Sequence, residues 1–107
     1  MVIPCCFLQR FFLTCRMAET IRLIIEGKVQ GVFYRQSTRE KAVQLGITGT
    51  VRNLKDGSVE IIATGTPEQL RQLTQWCNQG PPNAVVTNIK STPLPLQPFN
   101  NFIVTRS

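Results

Sequence analysis

Ile21, Leu23 and Ile25 alternate with polar Arg22 and Glu26, a period of two that predicts a strand. From about Phe33 the period lengthens. Tyr34, Thr38, Ala42 and Leu45 recur at helical spacing, and Gly46 supplies a C-terminal cap. Strand character returns from Ile47 to Leu54, and Lys55-Asp56-Gly57 predicts a hairpin turn into Val59, Ile61 and Ala63, which alternate with Ser58, Glu60 and Ile62. A second helix starts at Thr66-Pro67-Glu68-Gln69, where Thr66 can cap, Pro67 suits the first helical position and Gln69 completes a capping box. Leu70, Leu73, Trp76 and Cys77 form its apolar stripe, and Gly80-Pro81-Pro82 stops it. Ala84 to Ile89 predicts a further strand. The stretch around Pro93, Pro95 and Pro98 predicts an irregular loop, and Phe102 to Thr105 a short last strand.

The predicted order is βαββαβ followed by a short strand. Two split βαβ units of this kind give an α+β fold of ferredoxin-like type, a sandwich of one antiparallel sheet with both helices on one face. A chain of 107 residues suits one domain with a single core. Residues 1–16, MVIPCCFLQRFFLTCR, are apolar and aromatic but interrupted by Gln9 and Arg10. They fall short of the roughly 20 apolar residues of a membrane span, and they lack both a basic region before the apolar part and a small-residue cleavage site after it. Met17 stands immediately ahead of the first strand. The expectation is therefore an N-terminal extension over 1–16, poorly ordered or upstream of the biological start, with a functional anchor as the alternative, and a folded domain over 17–107.

The formal charge of +6 becomes +4 over residues 17–107, since Arg10 and Arg16 are lost and all six acidic residues remain. That favours anionic partners only mildly, and the cations form no run that would mark a nucleic-acid stripe. Cys5, Cys6 and Cys15 lie in the extension and Cys77 on an apolar helical face, so disulfides are not expected in the folded part. The sequence contains no histidine. With no Cys and carboxylate cluster at ligand spacing either, zinc chemistry and histidine-based general-base or triad mechanisms are excluded. Arg, Lys, amides, hydroxyls, backbone groups and the substrate itself remain to do any chemistry.

Gly27-Lys28-Val29-Gln30-Gly31-Val32-Phe33-Tyr34-Arg35 joins the first strand to the first helix through two glycines. Unpaired backbone N–H groups and the positive end of a helix macrodipole meet at such a junction, and glycines allow conformations and approach distances that a Cβ would block. A phosphate or carboxylate fits there. Arg35, a cation in the first turn, stands where the macrodipole disfavours it by up to about 1 kcal/mol unless an anion is bound. Its planar guanidinium could give that anion two parallel bonds. An ordinary glycine-containing turn with a solvated Arg35 accounts for the loop equally well.

Gly49-Thr50-Val51-Arg52-Asn53-Leu54-Lys55-Asp56-Gly57-Ser58-Val59 is the second informative stretch. Asparagine is depleted in strands, so Asn53 at a strand end needs a reason. One is that it starts the Lys55-Asp56-Gly57 turn with an Asx-type bond. The other is that its amide, an acceptor and a donor that do not titrate, holds a water.

Together the two stretches resemble the acylphosphatase family. Residues Gly27 through Arg35 match its first signature, and Gly49 through Asn53 with Asp56-Gly57-Ser58-Val59-Glu60 and Gly65 its second. Leu45-Gly46, Trp76, Gly80-Pro81-Pro82 and Phe102 also fit, so the resemblance covers about residues 20–106. Thr50 departs from the aromatic residue usual after that glycine, a change that touches packing more than chemistry.

The resemblance implies hydrolysis of a carboxyl–phosphate anhydride to carboxylate and inorganic phosphate, without metal, cofactor or covalent intermediate. Arg35 matches the family's phosphate-binding arginine and Asn53 its water-orienting asparagine, with Gln30, Gly31, Val32, Phe33, Tyr34 and Arg35 as the substrate-binding set. It implies a small-molecule acyl phosphate as partner, phosphate or sulfate as competing anion, no nucleic-acid or membrane partner, and a cytoplasmic monomer. Two other readings stand beside it: a catalytically silent module of the same fold that binds an anion or a partner protein, and a single-stranded RNA binder on the open sheet face. The latter is the weaker, because the strands lack paired exposed aromatics.

Overall fold

Residues 18–105 are described by the structure, a computed structural model; the extension expected over 1–16 and the proposed start at Met17 lie outside them. The chain forms β1 (Glu19–Lys28), α1 (Tyr34–Leu45), β2 (Thr48–Asn53), β3 (Val59–Gly65), α2 (Pro67–Gln79), β4 (Val85–Leu94) and β5 (Phe102–Val104). In the sheet the strands lie in the order β4-β1-β3-β2-β5. The expected ferredoxin-like α+β sandwich is formed.

Period-two alternation sends Leu23 and Ile25 of β1, Val51 of β2, and Val59, Ile61 and Ala63 of β3 to one face, where all are fully buried. Ala42 of α1 and Leu70, Leu73 and Cys77 of α2 close over them in a single apolar cluster, with Trp76 only partly buried at its margin. The two helices are locked together by Tyr34, whose hydroxyl donates to the Cys77 carbonyl at 2.7 Å and whose ring lies 5.8 Å from that of Trp76. Burial pushes the Cys77 thiol up to about 12 and the Tyr34 hydroxyl further still, so both stay neutral.

The helix ends are built very differently. At α2 the Gln69 amide N–H donates to the Thr66 hydroxyl at 3.2 Å, and the Thr66 N–H donates back to the Gln69 side chain at 2.9 Å. Pro67 and Glu68 complete that first turn. At α1 the N-cap is Phe33, with no side-chain cap and no acidic residue in the first turn.

Two expectations need correction. β1, β3, β4 and β2 pair antiparallel, but β5 lies parallel to β2, so the sheet is mixed. The link from β4 stays at one end of the sheet while crossing from edge to edge, and β5 must therefore run opposite to β4, in the direction of β2. The link is pinned at residue 97: Thr64 donates to the Gln97 carbonyl at 2.7 Å, and the Gln97 N–H donates to the Thr20 hydroxyl at 2.8 Å. Second, β4 continues through Pro93, which pairs with Ile21, where an irregular loop was expected. An edge strand tolerates proline because one row of its N–H groups has no partner to lose.

On the face without helices, Glu60 is only 5% exposed. Arg22 and Arg52, from the strands on either side, each donate to it at 2.6 Å. Burial alone would raise its carboxyl, but the two guanidinium bonds outweigh burial and hold it below the usual value. Alternation and register give this face Arg22, Ile24, Thr50, Glu60 and Ile62 across β1, β3 and β2, without an aromatic ring on which a base could stack.

Candidate active site

Because β5 runs with β2, and both run with β1, the C-terminal ends of these three strands meet at one end of the sheet, together with the start of α1. A cavity of about 300 Å³ opens there. Gly31, Phe33, Tyr34 and Arg35 line it from the β1–α1 junction, Asn53 from the end of β2, and Val104 from β5, with Val29 and Gln36 completing the wall.

The junction is shaped by backbone geometry. Gly31 has φ 76°, and a Cβ there would meet nothing within 4 Å, so the glycine is needed for its conformation and not for space. Phe33 follows at φ 62°, the one described non-glycine residue with positive φ. Gly27 has a different task from the one its motif suggests. A Cβ on it would stand 2.1 Å from the Val85 carbonyl oxygen, so it permits close approach of β4 where the β1–β4 register shifts between Glu26 and Gly27.

Among the described residues, the backbone N–H groups of residues 30–36 make no hydrogen bond to a backbone acceptor, and the first such bond of the helix is Ser37 N–H to the Phe33 carbonyl at 3.0 Å. The bare end of α1 thus presents free donors and the positive end of a macrodipole that no acidic side chain offsets. Arg35 stands in the same turn, its guanidinium donating to the Thr105 carbonyl at 3.0 Å. Among the described residues it has no carboxylate partner, so its charge is held in place without being neutralised.

Asn53 shares the helix-facing side of β2 with Val51. Its Oδ1 is buried and has no hydrogen-bond partner among the described residues. The turn that Asn53 could have initiated is made by Asp56 instead, whose carboxylate accepts from the Ser58 N–H at 3.0 Å. A buried amide oxygen left unpaired costs about 1–3 kcal/mol, which a water or substrate proton in the cavity would recover.

Of the residues expected to bind substrate, the structure brings Gly31, Phe33, Tyr34 and Arg35 to the cavity wall beside Asn53, and leaves Gln30 and Val32 off it. The Gln30 side chain turns to the β2–β3 hairpin, and Val32 packs against the core. Tyr34 is 1% exposed, so its ring supports the loop while its backbone belongs to the first turn. Sequence reasoning missed Val29, Gln36, Val104 and the Thr105 carbonyl. Val104 and Thr105 carry a signal only once β5 is known to lie beside β2.

The acylphosphatase family pattern matches residues 21–104. The chain belongs to the acylphosphatase family. An acylphosphatase of Marinobacter nauticus is 54% identical over 84 residues, covering 78% of this chain and 91% of that protein. The solved acylphosphatase of Coxiella burnetii superposes with a TM-score of 0.82 at 38% identity, over 86% of this chain and 97% of that one. The fold also occurs as part of something larger: T. kodakarensis HypF matches with a TM-score of 0.73 at 28% identity over 85% of this chain but only 12% of its own. This chain instead matches nearly the whole length of those two acylphosphatases, 91% and 97%, which favours the enzyme over the silent-module reading.

Proposed function

We propose that the protein is an acylphosphatase that hydrolyses the carboxyl–phosphate bond of small acyl phosphates by direct attack of an oriented water. The observation that carries this reading is the uncapped start of α1 with unpaired N–H groups and an unneutralised Arg35, facing a cavity that also holds the orphan oxygen of Asn53.

The phosphoryl group takes the loop and first-turn N–H donors of residues 30–36, while Arg35 binds two of its oxygens in the plane of the guanidinium. Asn53 accepts a hydrogen of a water and aims its oxygen at phosphorus. A new O–P bond forms as the bridging O–P bond breaks, and the carboxylate leaves with that electron pair. The water's proton passes to a phosphoryl oxygen or to the leaving carboxylate, so no protein base is required. Such a leaving group is already good, and positioning plus charge stabilisation suffice, without metal or covalent intermediate.

The working unit is residues 17–107, supported by the family match over 21–104. Among the described residues no helix is long and apolar enough to cross a membrane, and Cys77 is a free buried thiol, which suits a reducing cytoplasm. The protein acts as a monomer, the state that the family resemblance implies. The test is phosphate release from benzoyl phosphate in the presence of a chelator, with inorganic phosphate or sulfate as competitive inhibitor. Absence of release, or a stoichiometric metal requirement, overturns the proposal.

A further inference from the structure

Gln30 begins the cradle loop, yet its side chain is engaged elsewhere. Its amide nitrogen donates to the Leu54 carbonyl and to the Ser58 carbonyl, both at 2.8 Å. A side-chain amide has two hydrogens to give, and both go to one turn. Those two carbonyls are the ones that close the β2–β3 hairpin: Leu54 N–H donates to Ser58 at 2.8 Å and Gly57 N–H to Leu54 at 3.2 Å. Leu54 directly follows Asn53, so the clamp grips the chain one residue from the orphan amide oxygen. Among the described residues, no other side-chain hydrogen bond joins the loop to this hairpin.

We propose that Gln30 is a positioning residue, which fixes the separation between Asn53 and the anion cradle and so sets where the attacking water stands relative to phosphorus. This rests on the acyl phosphate reading above. The anion side and the water side of the cavity come from different strands, joined through the sheet by β3, and a shift of either by about 1 Å is enough to lose on the order of a hundredfold in rate. Each clamped carbonyl already accepts one backbone N–H. Removing the Gln30 amide therefore leaves neither of them orphaned, and the fold survives its loss.

The experiment compares Gln30→Met, Asn53→Ala and the double variant with wild type, by kcat on benzoyl phosphate, the phosphate inhibition constant and the thermal midpoint. Gln30→Met is expected to lower kcat by up to about a hundredfold while leaving phosphate inhibition and the midpoint near wild type. In the Asn53→Ala background it should add little, because the two residues act through one water. A lowered midpoint with wild-type kcat in the folded protein, or a full further loss on top of Asn53→Ala, overturns the proposal. A readout independent of turnover is exchange of the Gln30 side-chain amide hydrogens by NMR, expected slow in wild type; fast exchange overturns the clamp. Should wild type release no phosphate, the acylphosphatase reading falls instead, and the exchange measurement still decides the clamp.

Discussion

The Arg35 guanidinium donates to the backbone carbonyl of Thr105 at 3.0 Å, across 70 residues of sequence. A neutral carbonyl holds a cation in position without cancelling its charge, whereas a carboxylate there would compete with the substrate. Arg39, one turn further along α1, donates to the Phe102 carbonyl at 3.2 Å, so the last strand is attached to the helix at two levels. The crossing link and the parallel placement of β5 thereby bear on the site, because they bring the carbonyl that orients Arg35.

Arg35→Lys is expected to be nearly inactive and to bind phosphate at least tenfold more weakly, since an ammonium reproduces neither the planar two-point contact nor the simultaneous bond to Thr105. The inhibition constant for phosphate checks this directly. Equal inhibition of variant and wild type would place the anion elsewhere in the cavity.

Tyr34→Phe should cost about 1–2 kcal/mol of stability. The rings of Tyr34 and Trp76 keep their contact, but the Cys77 carbonyl, in the last turn of α2, loses the donor that satisfies it. A urea midpoint measured with an unchanged slope reports the loss, and a midpoint at the wild-type value would show that another donor reaches that carbonyl.

Glu60→Gln tests the clasp on the open face. The folded-state carboxyl of Glu60 lies below its usual 4.5, so the unfolded chain binds that proton more readily, and the carboxylate's contribution is complete above that value and lost as pH falls through the lowered one. At pH 7 the variant should lose about 1–2 kcal/mol, less than for a fully buried pair because the Arg22 and Arg52 side chains are 40% and 47% exposed. The gap between variant and wild type should close as the pH is lowered below 4.5; a gap that stays constant into acid would mean that the ion pairs contribute nothing.

What could be seen in the sequence was whatever local pattern decides. The capping box at Thr66 and Gln69, the Gly46 cap and the Lys55-Asp56-Gly57 turn are short-range chemistry, and each forms as its residues dictate. Arg35 and Asn53 stood out because each is locally out of place, a cation at a helix start and an amide at a strand end. The partners of Gln30 and of Glu60 were not visible, since both depend on which strands become neighbours. Register also explains β4: its extension through Pro93 depends on its being an edge strand, which no pattern within residues 84–94 reveals.

Asn53→Ala separates the two tasks of the cavity. The amide oxygen is buried and unpaired, the turn bond is already made by Asp56, and the anion donors lie on the other strand connection, so removing the amide should leave phosphate inhibition nearly intact. An oriented water contact made mainly in the transition state is worth on the order of 3 kcal/mol, and kcat should fall by about a hundredfold or more. Stability should stay near the wild-type value, because the buried amide oxygen has no hydrogen bond to another described residue that its removal would break. A turn role gives the opposite pattern, a loss of about 1 kcal/mol with kcat per folded molecule near wild type. Measuring kcat on benzoyl phosphate, the phosphate inhibition constant and the urea midpoint on one preparation distinguishes the two, and a near-normal kcat would remove Asn53 from the chemistry.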